Sequence, residues 1–266
     1  MTRITVQLTD RLSTLGLRAA RRDRPPTLVA VAHGSRDPAA SRTVTALLER
    51  VRALRPDVPV RLGHIELNQP LLADTLAALR GEAVVVPLLL GRGYHVKQDI
   101  PAAVAAAPHL AARIAAPLGP HPLLAEALHA RLAEAGWRDA VPPGAGVVLA
   151  AAGSRDPDAA VDTARTAALL SARLGGVPVL PGYASGLGPT VPEAVRALAA
   201  LGRERTAVAS CFAAPGRFAA ECAGAAPGLA AAPLGAHPAM ARLVVHRYEQ
   251  ALSSAPLSHP AATVGV

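Results

Sequence analysis

The stretch Thr27-Leu28-Val29-Ala30-Val31-Ala32-His33-Gly34-Ser35-Arg36-Asp37-Pro38 joins an apolar run directly to a polar turn. A short apolar run that ends at a glycine is typical of a buried strand in a parallel sheet. Asp37 followed by Pro38 is typical of a helix start, because aspartate caps a helix and proline fits its first turn. The stretch therefore predicts a strand, a tight turn at Gly34 and a helix.

The turn of this stretch occurs a second time in the chain. Gly34-Ser35-Arg36-Asp37-Pro38 returns as Gly153-Ser154-Arg155-Asp156-Pro157. Further residues match at the same spacing, namely Pro59 with Pro178, Gly63 with Gly182, and Pro70 with Pro189. A repeat of roughly 110 to 120 residues is too long for a solenoid unit and predicts a domain duplication.

Both halves alternate short apolar runs with amphipathic stretches, which predicts an α/β fold. We expect two similar domains, each with its own core and with a small parallel sheet covered by helices on both faces. In the first half, strands are predicted at 27–32, 58–65, 83–90 and 113–115, and helices at 39–54, 71–80, 100–107 and 122–135. In the second half, strands are predicted at 147–151, 177–181 and 206–210, and helices at 159–174, 191–201 and 218–223.

The boundaries of the domains are predicted from composition. We expect a flexible N-terminal tail at 1–25, an N-terminal domain at 26–141, a C-terminal domain at 142–252 and a C-terminal tail at 253–266. Proline and glycine cluster at 142–146, which predicts the linker there.

Three potential metal ligands follow three consecutive strands of the first half. His33, Glu66 and His95 should meet at one edge of the sheet, where the carboxyl ends of parallel strands form the ligand crevice. Their counterparts in the second half are Ala152, Ser185 and Phe218. Since the second copy of the fold forms without these three side chains, they are predicted to serve chemistry in the first half. Their counterparts are predicted to mark an inert site in the second half.

Other polar residues near this edge have a structural interpretation and a functional one. The repeated pentapeptide is interpreted mainly as a helix cap, although Ser35 and Arg36 can also contact a ligand as an anion cradle would. His64 lies on the same strand face as Glu66, where it is either an auxiliary residue for metal delivery or a packed histidine. Leu-Gly-x-His-Pro occurs in both halves, so His121 and His237 are predicted to stabilise the turn before a helix.

The segment Gly91-Arg92-Gly93-Tyr94-His95-Val96-Lys97-Gln98-Asp99-Ile100-Pro101 combines mobile glycines with charge. Arg92 and Lys97 are predicted to bind substrate carboxylates, with Tyr94 also in contact. Asp99 is predicted to start the helix that follows. The second copy keeps little of this polarity.

Composition restricts the class of partner. The net charge of +8 favours an acidic ligand, but the 2% content of aromatic residues argues against a nucleic-acid platform. No apolar stretch predicts a membrane span or an export signal, and no CxxC spacing predicts zinc or a disulfide framework. No nucleotide is expected, since the chain has neither a P-loop nor a GxGxxG motif. A reducing cytoplasm is the simplest setting.

Taken together, the sequence resembles the class II tetrapyrrole chelatases, specifically the sirohydrochlorin cobaltochelatases and ferrochelatases. The resemblance is carried by His33 to Pro38, by Glu66-Leu67 with Pro70, and by Gly93-Tyr94-His95-Val96 with Asp99-Ile100-Pro101. It implies the two-domain form with a degenerate C-terminal half, and a metal held by two histidines and one carboxylate. These ligands carry over to His33, His95 and Glu66.

The resemblance implies a lyase-type enzyme that inserts Fe²⁺ or Co²⁺ into sirohydrochlorin for sirohaem or cobalamin biosynthesis. Imidazole and carboxylate suit these metals, and His33 or His95 can accept a pyrrole proton. A monomer with an internal pseudo-dimer is expected. The alternatives are a non-catalytic metal or tetrapyrrole carrier on the same fold and a periplasmic-type solute binder, the latter disfavoured by the absence of an export signal.

Overall fold

The computed structural model describes residues 25–138 and 144–254 of the chain. Strands and helices alternate in the first half as predicted. Its elements are β1 (Thr27–Ala32), α1 (Pro38–Leu54), β2 (Val60–His64), α2 (Leu72–Ala78), β3 (Gly81–Pro87), α3 (Ile100–Ala105), β4 (Leu110–Ile114) and α4 (Pro122–Glu134). A π-helical turn, His95–Asp99, runs directly into α3 and is absent from the predicted pattern.

The second half follows the same order with one strand fewer. Its elements are β5 (Ala145–Ala151), α5 (Pro157–Arg173), β6 (Val179–Tyr183), α6 (Val191–Ala200), β7 (Arg205–Ser210), α7 (Arg217–Gly224) and α8 (Pro238–Ser253). Because β5 begins at Ala145, the end of the predicted linker at 142–146 belongs to a strand. The predicted tails lie almost wholly outside the described residues, as does the boundary between 141 and 142, so these limits stay predictions.

Each half contains one parallel sheet. The strand order is β2-β1-β3-β4 in the first sheet and β6-β5-β7 in the second, so the first strand of each half is central. An isolated parallel bridge between Val208 and Ala230 stands beside β7, where β4 stands beside β3 in the first half. The predicted α/β fold with two similar halves is thereby confirmed.

Alternate residues of each central strand enter different cores, because successive side chains point to opposite faces of a sheet. In β1, Val29 and Val31 pack into a cluster made by the first half alone. Leu28 and Ala30 instead join the largest core, which also contains Val147 and Leu149 of β5. The expectation of one separate core per half is therefore wrong on the inner faces, where the two halves share a single core.

The last helix of each half packs on the other half. Helix α4 contacts α5 and β7, whereas α8 contacts α1, β3 and β4. The two halves thus exchange their last helices, and hydrogen bonds hold each helix on the opposite half. From α8, the Tyr248 hydroxyl donates to the Pro26 carbonyl of the first half at 2.7 Å. From α4, the Arg131 guanidinium donates to the Leu234 carbonyl of the second half at 2.9 Å. The exchange joins the halves into one body and fixes the cleft between them.

The repeated pentapeptide caps a helix in both halves. The Asp37 carboxylate accepts a hydrogen bond from the Ala39 amide at 2.8 Å, and the Asp156 carboxylate accepts one from the Asp158 amide at 3.0 Å. The predicted capping role of this motif is confirmed.

Two histidines cap the exchanged helices. His121 accepts a hydrogen bond on Nδ1 from the Leu123 amide, and His237 accepts one from the Ala239 amide, both at 3.1 Å. Burial, together with nearby Arg247, lowers the pKa of His121 to about 4, and burial also lowers the pKa of His237. Both histidines therefore act as neutral acceptors, which confirms their predicted role before a helix.

We expect His121 and His237 to make the protein less stable in mild acid. Because the folded state depresses both pKa values, the stabilisation is present above the unfolded value near pH 6.5 and is lost as the pH falls towards about 4. Partial exposure limits the loss at His121 to on the order of 1 kcal/mol. Urea unfolding across this range should show a smaller pH dependence in His121→Asn/His237→Asn, in which asparagine can still cap. An unchanged pH dependence would contradict this role.

Within residues 25–138 and 144–254, no helix is both long and apolar enough to cross a lipid bilayer.

Candidate metal centre

The three predicted ligands meet at the carboxyl edge of the first sheet. His33 follows β1, Glu66 follows β2, and His95 opens the π-helical turn beyond β3. The Nδ1 atom of His33 lies 3.6 Å from Oε1 of Glu66. The rings of His33 and His95 meet edge to face, with centroids 4.7 Å apart. His33 thus contacts both of the other ligand candidates.

Backbone contacts fix the spacing of His33 and Glu66. The Glu66 amide donates to the His33 carbonyl at 3.0 Å, and the Ser35 amide donates to the Asn68 side chain at 2.6 Å. Gly34 between them has a φ of +105°, and a Cβ at this position would lie 1.9 Å from the Glu66 carbonyl oxygen. Glycine is therefore required for the two loops to approach this closely.

His95 has a carboxylate partner that the sequence interpretation missed. Its Nδ1 lies 2.5 Å from Oδ2 of Asp99, the last residue of the π-helical turn. Helix α3 begins directly after Asp99, as predicted, but the Asp99 side chain makes no capping hydrogen bond. With Nδ1 held by a carboxylate, Nε2 is the nitrogen left for a metal ion. The four-residue spacing of His95 and Asp99 is the signal that could have indicated this pair.

We expect Asp99→Ala to weaken Co²⁺ binding by about 10- to 100-fold, because the carboxylate orients the His95 ring towards the ion. The measurement is an anaerobic absorbance titration with Co²⁺. Asp74→Ala is the matched control, since Asp74 is exposed on α2. Equal affinities for the two variants would show that Asp99 does not support the ligand.

The ligands are close but not yet grouped around one point. In the described part of the chain, no three His, Cys, Asp or Glu side chains are arranged so that they could hold one ion. The side chains of His33, Glu66 and His95 are 46%, 53% and 33% exposed, which leaves them room to rotate. Binding of a metal by all three therefore requires side-chain rotation and no change of fold.

His64 lies beneath this group as a buried residue. It is 5% exposed, and its Nδ1 lies 3.2 Å from the Pro70 carbonyl oxygen. It lines the same cavity as Glu66. The hydrogen bond accounts for a structural role, and a part in metal delivery stays a prediction.

The three predicted ligands line a cleft of about 1100 Å³ between the two halves. The counterparts Ala152, Ser185 and Phe218 line the same cleft from the second half. The Ser185 amide donates to the Ala152 carbonyl at 3.0 Å, as the Glu66 amide does to the His33 carbonyl. The second half thus reproduces the backbone of the site with an alanine, a serine and a phenylalanine in place of the ligands.

Ser35, Arg36 and Tyr94, predicted to contact substrate, also line the cleft. Tyr94 is 66% exposed, and Arg36 is exposed with no ion-pair partner in the ranges that the structure describes. The hydroxyl of Ser35 accepts a hydrogen bond from the Asp37 amide. Two exposed leucines, Leu67 and Leu187, add apolar surface at the cleft.

Arg92 and Lys97, which we predict to bind substrate carboxylates, are paired with carboxylates of the second half. Arg92 Nη2 lies 2.8 Å from Asp162 Oδ1, and Lys97 Nζ lies 2.8 Å from carboxylate oxygens of both Asp156 and Asp158. Hydrogen bonds to these carboxylates raise the pKa of both bases, and Lys97 lowers the pKa of Asp156 and Asp158. Neither base is among the residues that line the cleft.

Comparison with known protein families gives a match over most of the chain. The family model described as CbiX matches residues 27–135 and again residues 146–251. The two matches correspond to the two halves of the repeat.

Individual relatives are similar over shorter segments. A sirohydrochlorin cobaltochelatase of Methanosarcina barkeri is 32% identical over 78 residues, which cover 28% of this chain and 60% of that protein. The sirohydrochlorin ferrochelatase of Bacillus subtilis is 32% identical over 173 residues, which cover 61% of this chain and 64% of that protein. The chain thus spans less than two thirds of either relative.

A solved structure has the same fold over nearly its whole length. SirB from Bacillus subtilis, solved with Fe³⁺, superimposes with a TM-score of 0.69 at 24% identity, covering 86% of this chain and 96% of that one.

Proposed function

The chain belongs to the CbiX family, and we propose that it is a sirohydrochlorin chelatase, a lyase-type enzyme that inserts Fe²⁺ or Co²⁺ into the macrocycle. The observation that carries the proposal is the convergence of His33, Glu66 and His95 at a cleft large enough for a bulky ligand. The activities named for the two relatives support this choice of substrate and metals.

The metal enters as a substrate and is held by His33, Glu66 and His95. Imidazole nitrogen and carboxylate oxygen together suit Fe²⁺ and Co²⁺. Asp99 holds the ring of His95 so that Nε2 is presented to the ion. Because all three ligand side chains are partly exposed, they can release the ion to a stronger chelator.

The macrocycle lies in the cleft, against Tyr94 and the apolar side chains of both halves. Arg36 provides an exposed guanidinium for one of the substrate carboxylates, and Ser35 adds a polar contact beside it. His64 has an auxiliary role beneath Glu66.

Metal insertion requires loss of pyrrole N–H protons, and the partly exposed side chains of His33 and His95 accept them. A histidine that has released the metal has a free nitrogen lone pair and can then act as a general base. His33 and His95 therefore hold the ion first and remove protons afterwards. No nucleotide takes part in this sequence of steps.

The second half completes the cleft without a metal site of its own. The protein acts as a monomer, since its two halves already supply both walls of the cleft. The boundary between the two domains lies between residues 141 and 142. Cys211 and Cys222 are free buried thiols, which is compatible with a cytoplasmic enzyme.

An anaerobic absorbance time course tests the proposal. Sirohydrochlorin is mixed with Fe²⁺ or Co²⁺ and with substoichiometric protein, and the spectrum of the metallated product is followed. We expect many product molecules per protein, at a rate well above that of the uncatalysed reaction. Product formation that stops at one equivalent, or that matches the rate without protein, would refute the proposal and favour a carrier.

A further inference from the structure

The loop that carries His95 is tied to helix α5 of the second half. The Asp162 side chain is 1% exposed, and its carboxylate accepts hydrogen bonds from the Arg92 amide at 2.8 Å and from Arg92 Nη2 at 2.8 Å. The Arg92 Nε atom adds contacts to both carboxylate oxygens, at 3.2 and 3.0 Å. The Asp162 carboxylate therefore binds both the backbone and the side chain of Arg92 in the loop.

A second connection lies on the other side of His95. Lys97, the only lysine in the sequence, places its Nζ 2.8 Å from carboxylate oxygens of Asp156 and Asp158 at the start of α5. Arg92 precedes His95 by three residues and Lys97 follows it by two. His95 thus lies between two residues of its loop that are both attached to α5.

These attachments are present in one direction only. Matching backbone hydrogen bonds, Leu88 to Val31 and Cys211 to Ala150, define which residues of the two halves are equivalent in this region. The equivalents of Arg92, Lys97, Asp158 and Asp162 are Pro215, Ala220, Ala39 and Thr43. The half that has lost the ligands supplies the acidic partners, and its own loop has neither basic residue.

The energetics favour a defined loop position. A carboxylate as buried as that of Asp162 is costly without partners, and the loop provides the partners that the structure gives for this carboxylate. A Cβ on Gly91 would lie 3.4 Å from the Asp162 Cβ, so the backbone approaches the helix at contact distance. Movement of the loop would leave a buried charge unpaired.

We propose that Asp162 is a positioning residue for the metal site, through which the degenerate second half holds His95 in place. Arg92 and Lys97 are the loop side of this connection. The proposal rests on the proposed function for its catalytic consequence, whereas its effect on metal binding can be measured independently. A small displacement of a ligand is enough to weaken binding and slow the reaction.

The test compares Asp162→Asn with the native full-length protein in Co²⁺ affinity, thermal unfolding and the steady-state constants for sirohydrochlorin. We expect about 10- to 100-fold weaker Co²⁺ binding and a reduced kcat. The KM for sirohydrochlorin should change little, because Asp162 does not line the cleft. Asp162→Glu, which keeps the charge, should recover part of the affinity.

Glu249→Gln is the control for a general weakening between the halves. Glu249 pairs with Arg55 at 2.6 Å across the halves and is not among the cleft residues. This variant should keep native Co²⁺ affinity. Should Asp162→Asn fail to fold, Lys97→Gln tests the exposed attachment with the same titration and should also bind Co²⁺ more weakly.

Native Co²⁺ affinity and native kcat in a folded Asp162→Asn, with only a lower melting temperature, would overturn the proposal. Failure of the proposed function gives a different result: the native protein would then bind Co²⁺ but form no metallated sirohydrochlorin, and the affinity comparison would still decide the role of Asp162.

Discussion

His95→Ala is expected to lower the rate of metal insertion by more than about 100-fold, since it removes both a metal ligand and a proton acceptor. The fold should survive, because the same loop position is occupied by Phe218 in the second half. The measurement is the initial rate of metallated sirohydrochlorin formation under anaerobic conditions, with the melting temperature as a check on folding.

His109→Ala is the control for His95→Ala. His109 is exposed in the turn before β4, at the opposite edge of the sheet from the cleft. The control should retain the native rate. A His95→Ala protein that is folded and within a few-fold of the native rate would show that the reaction does not depend on this ligand.

Gly34→Ala is expected to cost about 3 kcal/mol of unfolding free energy and to weaken Co²⁺ binding strongly. The added Cβ would lie 1.9 Å from the Glu66 carbonyl oxygen, so the loop that carries Glu66 must move away from His33. The positive φ of Gly34 adds strain for any other residue. Urea unfolding and a Co²⁺ titration measure the two effects.

The duplication provides a matched control for this change. Gly153 has a φ of +87°, and a Cβ there would lie 1.7 Å from the Ser185 carbonyl oxygen. Gly153→Ala should therefore lose a similar unfolding free energy while keeping most of its Co²⁺ affinity. If both variants lost metal affinity equally, the site would not be confined to the first half.

The position of the three metal ligands at the carboxyl edge of the first sheet could be predicted from sequence, because it depends on local sequence patterns. β1 is an apolar run next to a capped helix, and strand carboxyl ends in a parallel sheet meet at one edge. Comparison of the two halves then separated the turn at Gly34, which both copies need, from His33, which only one copy has. The order of the strands along the chain is sufficient for this prediction, without any tertiary contact.

The exchange of the last helices could not be predicted in the same way. Periodicity identifies the apolar face of α4 or α8, but two homologous sheets offer similar surfaces for it. The choice between them depends on tertiary contacts such as the hydrogen bond from Tyr248 to Pro26. For the same reason, the sequence predicted two cores where the inner faces share one.

Charged residues around the site were the least predictable. Arg92 and Lys97 have the chemistry to bind a polycarboxylate, and their sequence neighbourhood contains no partner except Asp99. Asp162 lies far away in sequence on α5, where an aspartate is ordinarily a surface residue. Only the packing of the two halves shows that this aspartate is buried and paired with Arg92.

The central claim is that the protein has one metal site, formed by His33, Glu66 and His95 of the first half. Anomalous diffraction at the cobalt edge, from crystals of the full chain soaked anaerobically in Co²⁺, tests it most directly. We predict one cobalt peak within coordination distance of all three side chains and none beside Ala152, Ser185 and Phe218. A cobalt ion bound elsewhere with these three ligands empty, or equal peaks in both halves, would contradict the claim.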